Sequence, residues 1–474
     1  MSERKREKVI HRAERKPAST SSGMAGERHR YEVPDLIARG QLFIGDGYRA
    51  KNEELSTDGL PFARAGNIDG GFHFLDADCF PLENIDRVGN KVSEPGDVVF
   101  TSKGTVGRFA FVRRGTPRFV YSPQLCFWRS LDPTVIEPRF LYYWMLGREF
   151  FIQFKGVAGQ TDMAEYVSLR DQRRMQITLP SQDEQQAIAH ILGTLDDKID
   201  LNRRMNETLE AIARALFKSW FVDFDPVRAK AEGYDPGLPK PLADLFPDSF
   251  EDSELGEIPK GWTIKAAGDV AERIAMGPFG SSIKVETFVR AGVPIISGQH
   301  LREFMLKDTA FNFITEEHAK RLANAMVGPG DVVFTHAGNI GQVAFIPGSS
   351  RYERYIISQR QFFMRCDLSQ ITPTFIALYF SSVEGRHRLL ENTSSSGVPS
   401  IARPVTYLRS LRLVVPRKTV LDAFEQLVRP FLLQLRQNMD NIVALARVRD
   451  TLLPKLISGE VSVKAADDSV QASI

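Results

Sequence analysis

Many of the polar side chains of this 474-residue chain that are suited to binding a ligand cluster in a stretch that occurs twice. Residues 96–111 read GDVVFTSKGTVGRFAF and residues 330–345 read GDVVFTHAGNIGQVAF, about 10 of 16 positions identical after a displacement of about 235 residues. The differing letters in or beside the glycine loop are mostly polar: Ser102, Lys103, Thr105 and Arg108 in the first copy, His336, Asn339 and Gln342 in the second. Such side chains make hydrogen bonds and ion pairs. Lys103 and Arg108 suit phosphates or guanine edges, while Asn339 and Gln342 suit adenine N6 and N7 in a major groove. Arg64 and Asn67 follow one strand-like run, and Gln299 and His300 stand at the matching place in the second copy. Two polar loops add Gln160 and Thr161, and Ser395 and Ser396.

Catalysis finds no comparable constellation. An adenine methyltransferase needs a cofactor-binding glycine strand and an Asn/Asp-Pro-Pro-aromatic motif for the flipped base, and neither is present. A GxxxxGK[ST] loop for ATP is missing too. Gly45 to Ala50 superficially fits a dinucleotide fingerprint, but Lys51-Asn52-Glu53-Glu54 follows where an apolar helix should begin. His300 and His336 lack metal-like partners in sequence, so no metal site is expected. Cys79, Cys126 and Cys366 are scattered without a CxxC, as unpaired thiols in a reducing compartment would be.

Elements that position these side chains follow from the pattern. In each copy Gly-Asp reads as a turn, Val-Val-Phe as a buried strand, and the paired glycines as a loop before a second strand. The chain is too long for one core. Residues 1–30 are basic and Ser-rich with few large apolar residues, and read as a disordered tail. Residues 31–180 form a first strand-rich α/β domain, 181–222 a long helix, 223–260 a Pro-rich acidic connector, 261–416 a second domain, 417–458 a second long helix, and 459–474 a tail. Net charge is only +2, yet each repeat is locally basic: Lys103, Arg108, Arg113, Arg114, Arg118 and Arg129 occur without an acid from Thr101 to Ser130, and Arg351, Arg354, Arg360 and Arg365 are set against Glu353 alone. Clustering in both copies favours phosphate contact. No apolar run reaches the roughly 20 residues of a membrane span and the N-terminus lacks a signal-peptide core, so a cytoplasmic protein is expected.

Ser181 to Glu184 is a capping-box pattern that opens the first long helix, predicted to reach about Trp220. One heptad track is Ile188, Leu195, Asn202, Leu209 and Leu216; a second, three residues on, is Ile191, Lys198, Met205, Ile212 and Ser219. The second helix opens near Thr419, should kink at Pro430 and end by Pro454, and its matching track is Phe424, Phe431, Asn438, Leu445 and Leu452. Each helix would be roughly 60 Å long, more than its own domain can cover, so the two are expected to pair as an antiparallel coiled coil with Asn202 opposite Asn438 and the domains at opposite ends.

The helix end Ala215 to Phe224, the connector Asp225 to Trp262 and the closing Leu452-Leu453-Pro454-Lys455-Leu456-Ile457-Ser458-Gly459-Glu460 resemble the specificity subunit of a type I restriction-modification system, over nearly all of the chain after Tyr31. The resemblance implies a non-catalytic subunit with two target-recognition domains, each reading half of a split site in double-stranded DNA. It also implies partners: two modification methyltransferase subunits using S-adenosylmethionine, and a restriction translocase and nuclease using ATP and magnesium. Two differently decorated faces suit an asymmetric site, since a homodimer would read a palindrome. The alternative is a non-restriction scaffold or an RNA- or protein-binding coiled-coil adaptor. RNA readers present exposed aromatics on a sheet or glycine-flanked clamps, and neither pattern is legible.

Overall fold

The computed structural model describes residues 27–103, 107–158, 167–308, 310–394 and 397–471. The chain forms two compact units, residues 1–200 with 442–474 and residues 201–441.

In the first unit, strands β1 (His29–Glu32), β2 (Leu42–Asp46), β3 (Leu60–Ala63), β4 (Cys79–Phe80), β5 (Val98–Thr101), β6 (Phe109–Phe111), β7 (Val120–Tyr121), β8 (Leu125–Ser130) and β9 (Gln176–Leu179) follow in order. A four-stranded antiparallel sheet has the order β2-β8-β5-β6, and a smaller sheet β4-β3-β7 sets β3 parallel to β7. Val98, Val99 and Phe100 are all fully buried, because both faces of β5 are covered. One face meets Val112, Phe119 and Phe127. The other meets Trp128 together with the helices Pro138–Leu146 and Arg148–Ala158, which bring in Phe140, Trp144 and Phe150. The dinucleotide-like glycines serve packing instead. A Cβ on Gly47 would lie 1.9 Å from the Ser122 carbonyl oxygen, and only a three-residue 3-10 turn, Asn52–Glu54, follows.

The second unit repeats this plan. After a hairpin of β10 (Phe250–Ser253) and β11 (Gly256–Pro259) come β12 (Thr263–Ala266), β13 (Ala271–Met276), β14 (Val293–Ile296), β15 (Asn312–Ile314), β16 (Met326–Val327), β17 (Asp331–Thr335), β18 (Val343–Phe345), β19 (Tyr355–Ile357), β20 (Gln361–Cys366), β21 (Thr393–Ser394), β22 (Ser400–Ile401) and β23 (Arg412–Val415). The order β13-β20-β17-β18 copies β2-β8-β5-β6, and β14 lies parallel to β19 as β3 lies to β7. Pairing of β1 with β9, and of β12 with β23, closes each copy just before its long helix.

The long helices are Gln182–Phe221 and Lys418–Ser458. Ser181 Oγ accepts the Glu184 N–H at 3.3 Å, so the expected N-cap is present, while the Glu184 carboxylate pairs with Arg28 at 2.5 Å instead of closing a capping box. In the first unit Ile188, Leu192, Leu195 and Ile199 share a core with Leu445, Leu452 and Leu456. In the second, Ala213, Phe217 and Trp220 share one with Phe424, Val428 and Leu435, and partly buried Leu209, Leu216 and Phe431 pack on it. The start of one helix thus meets the end of the other, which makes the pairing antiparallel.

Two details of the seam differ from expectation. The second track runs four residues after the first, through Leu192, Ile199, Asn206, Ala213 and Trp220; Met205 and Ile212 are exposed. Alternating tracks are four and three residues apart, so reading the partner backwards sets each track against the other one. Asn438 Nδ2 accordingly donates to Asn206 Oδ1 at 2.8 Å, not to Asn202, and Trp220 contacts Phe424 at 5.7 Å. The second helix also runs unbroken through Pro430 and Pro454, both exposed, where a missing backbone donor leaves its carbonyl acceptor open to water.

The expected tails are partly ordered. His29 already lies in β1, Arg28 donates to the carbonyls of Leu456 and Ile457, and residues 1–26 lie outside the described residues. Residues 463–471 form a helix that buries Ala466 and Val470 in the first unit's core. The Pro-rich connector is folded as well: Phe246 packs on Trp220 at 5.0 Å, and Phe224 on Trp262 at 5.6 Å. Among the described residues no helix is long and apolar enough to cross a membrane.

Candidate nucleic-acid interface

Each copy gathers three loops at one place: the turn after β3 or β14, the glycine loop between β5 and β6 or β17 and β18, and the hairpin between β7 and β8 or β19 and β20. What holds the glycine loop is a buried ion pair below it. Asp97, fully buried, accepts from Arg129 Nε at 2.6 Å and Nη2 at 2.8 Å and from the Tyr121 hydroxyl at 2.6 Å. Asp331 accepts from Arg365 Nε at 2.8 Å and Nη2 at 2.7 Å. Each aspartate also takes a backbone N–H of its own turn, from Glu94 or Gly328. The repeated Gly-Asp is therefore the anchor of a fork-shaped, charge-assisted contact. Burial and the adjacent Asp97 push the Tyr121 hydroxyl well above its usual pKa, so it stays a donor.

Above that anchor the backbone contacts are the same in both copies. The Ser102 N–H donates to the Gln124 carbonyl at 2.9 Å, and the His336 N–H to the Arg360 carbonyl at 3.0 Å. The carbonyls of Ser102 and His336 accept from Val167 at 3.0 Å and Ile401 at 2.8 Å. One frame thus presents different side chains.

In the first copy, Arg108 donates to the Ala65 carbonyl at 3.3 Å and faces Asp69 at 3.3 Å, which ties the glycine loop to the Arg64–Asn67 turn. The Gln124 side chain bonds the Ala65 N–H at 3.2 Å, joining the hairpin to the same turn. Asn67 is occupied within the turn, accepting from Arg64 N at 2.8 Å and donating to His73 O at 2.9 Å. Arg64 is half-exposed and pairs with Asp78 at 2.7 Å. Ser102 is buried and Lys103 is exposed. Thr105, Gln160 and Thr161 lie outside the described residues.

In the second copy, His300 is buried, takes the Ser297 N–H on Nδ1 at 2.9 Å and stacks on Phe311 at 4.4 Å, so it shapes its turn. Gln299 beside it is exposed. Gln342 Oε1 accepts from Thr335 Oγ1 at 3.4 Å, next to buried Gln361. His336 Nε2 donates to the Gln359 carbonyl at 3.1 Å, and burial holds its pKa below the ordinary value, so it acts as a neutral imidazole. Asn339 and Arg360 are exposed. Ser395 and Ser396 lie outside the described residues.

The basic clusters shrink once partners are counted. Arg129 and Arg365 are spent on the buried aspartates, Arg113 on Asp197 and Asp200 at 3.0 and 2.7 Å, and Arg354 on Glu316 at 2.8 Å. Lys103, Arg114, Arg118 and Arg360 are exposed. Gln124 was missed in the sequence, although Ser122-Pro123-Gln124 and Ser358-Gln359-Arg360 lie 236 residues apart, next to the matching arginines. Among the described residues no group of three His, Cys, Asp or Glu could hold a metal.

Two copies of a mixed α/β domain, each followed by a helix of 40 or 41 residues, make a duplicated scaffold. Residues 44–211 match the family model of the type I restriction modification DNA specificity domain. Over most of its length the chain is similar to type I restriction-modification specificity subunits. It is 24% identical over 435 residues to the type I restriction enzyme HindI specificity subunit of Haemophilus influenzae, covering 82% of this chain and 91% of that one. With the MjaIX specificity subunit of Methanocaldococcus jannaschii it shares 23% over 384 residues, 79% of each chain. The crystal structure of a type I restriction-modification S subunit from M. genitalium has a similar fold, with a TM-score of 0.53 at 14% identity, covering 93% of this chain and 98% of that one.

Proposed function

We propose that the chain reads a split, asymmetric site in double-stranded DNA, one half per domain, and thereby directs adenine methylation or cleavage by partner subunits in the cytoplasm. The observation that carries this is the shared backbone frame with exchanged exposed side chains, Gln124 in one copy against Arg360 in the other. A frame that holds its hydrogen bonds while its exposed groups change is suited to reading different sequences with one geometry. Residues 31–180 and 261–416 are the two readers. Arg64, Lys103, Arg108 and Gln124 serve the first, together with Thr105, Gln160 and Thr161; Gln299, His336, Asn339, Gln342 and Arg360 serve the second, together with Ser395 and Ser396. Asn67, Ser102 and His300 act by shaping those loops. Two modification subunits supply S-adenosylmethionine chemistry, and the restriction subunit supplies ATP- and magnesium-dependent translocation and cleavage.

Methylation profiling with the partner subunits supplied tests the proposal. Replacing Asn339 or Arg360 by Ala should relax or weaken one half-site and leave the other unchanged, a base contact contributing about 1 to 3 kcal/mol of discrimination. Replacing Lys103 by Ala should weaken binding to all sequences and reduce the salt slope by about one unit, as loss of a phosphate contact does. Replacements of Asn339 or Arg360 that change the sequence preference at both half-sites equally would sink the two-reader arrangement.

A further inference from the structure

Leaving β13, the chain turns through Gly277-Pro278-Phe279-Gly280. The Gly277 N–H donates to the Gln361 carbonyl at 2.8 Å, and a Cβ there would lie 2.0 Å from the Ser358 oxygen. The loop therefore starts against the hairpin that carries Arg360. Two residues on, the Phe279 side chain is 78% exposed. Its loop is well tied: Ser282 Oγ donates to the Phe279 carbonyl at 2.8 Å, His318 Nε2 to the Ser282 carbonyl at 2.9 Å, and Thr287 Oγ1 to the Lys284 carbonyl at 2.6 Å. Bordering the same cluster, Val398 is 62% exposed and precedes Pro399, whose carbonyl accepts from Gly338 N at 3.1 Å.

An aromatic ring held out of the core beside a polar reading cluster suits a ligand with polar edges and flat apolar faces. A stacked base step is such a ligand, and proteins that kink a duplex insert an apolar side chain of this kind. The first copy supports the comparison. Gly47 makes the same close approach to Ser122, and two residues beyond it stands exposed Arg49. The equivalent tip thus carries a phosphate-seeking cation in one copy and a stacking ring in the other.

We propose that Phe279 inserts into a base step of the half-site read by the second domain, as a wedge that unstacks it. The proposal rests on the DNA-reading function above. A base stacked on an aromatic side chain contributes about 5- to 150-fold in affinity. In the complex with its modification subunits, Phe279→Ala should lose binding to DNA of the methylated sequence within that range. Thymines scanned through the second half-site should become permanganate-reactive on binding the unaltered complex and the Phe279→Trp complex, and stay protected with Phe279→Ala. Thymines of the first half-site should respond alike in all three. Unaltered affinity and permanganate pattern for Phe279→Ala, with Arg360→Ala still weakening binding, would overturn the wedge and leave DNA reading intact. Failure of Phe279→Ala to assemble with the modification subunits would assign the ring to a protein contact and overturn it as well. A complex that binds no DNA in a sequence-dependent way would overturn the underlying function and the wedge together.

Discussion

Replacing Asn206 by Leu tests the helix pairing inside the second unit. Asn438 is 1% exposed, and its amide is satisfied at both ends: Nδ2 donates to Asn206 Oδ1 and Oδ1 accepts from Gln434 Nε2, each at 2.8 Å. Asn206→Leu removes the acceptor and leaves a buried donor unpaired, at a cost of about 1 to 3 kcal/mol. Asn438→Leu should cost less, because half-buried Asn206 and exposed Gln434 can turn to water. The double replacement removes the stranded group and should cost less than the two singles added, with a coupling on the order of 1 kcal/mol. Asn202→Leu, which touches neither amide, should be nearly neutral. Hydrogen exchange in peptides covering residues 201–221 and 418–441 reads the local opening free energy without assuming a two-state chain. Equal costs for Asn202→Leu and Asn206→Leu, or strict additivity of the Asn206–Asn438 cycle, would refute the register.

The anchors under the loops should differ in weight. Arg129, with a side chain 9% exposed, shields a fully buried aspartate, so Arg129→Ala should destabilise its unit by about 3 to 5 kcal/mol, whereas Arg365, 40% exposed, leaves room for water and Arg365→Ala should cost clearly less; hydrogen exchange of each unit measures both, and equal losses would contradict the burial argument. Because His336 has a lowered pKa when folded, the unfolded chain takes up its proton first as pH falls below about 6.5. The stability present above that pH should decline towards the folded pKa, and His336→Gln should flatten that part of a pH–stability curve. Burial raises the pKa of all three cysteines, and Cys126 and Cys366 are only 3% and 2% exposed, so a thiol reagent at pH near 8 should label Cys79 alone, and slowly, before unfolding. Fast labelling of Cys126 would be inconsistent with the packing of β8.

The duplication, the order domain, helix, domain, helix, and the first heptad track were legible in the order of residues alone. Repetition and hydrophobic period are local properties that survive without knowledge of neighbours. The order of residues also marked the glycine loops as the place where the copies differ. The second track needed the folded chain, since a three- and a four-residue offset look alike in a weak heptad until the partner's direction is known, and that choice moved the partner of Asn438 from Asn202 to Asn206. Charge behaved in the same way. Arg129 and Arg365 look like any other basic residue in a row of letters, but strands brought together from about 34 residues away set an aspartate under each of them. Gln124 and Phe279 entered the candidate interface for the corresponding reason: a hairpin and a strand exit, distant in sequence from the repeated loop, are placed beside it by the sheet order β2-β8-β5-β6 and its copy. Which side chains meet is fixed by strand pairing and burial, and those are long-range facts that no local pattern encodes.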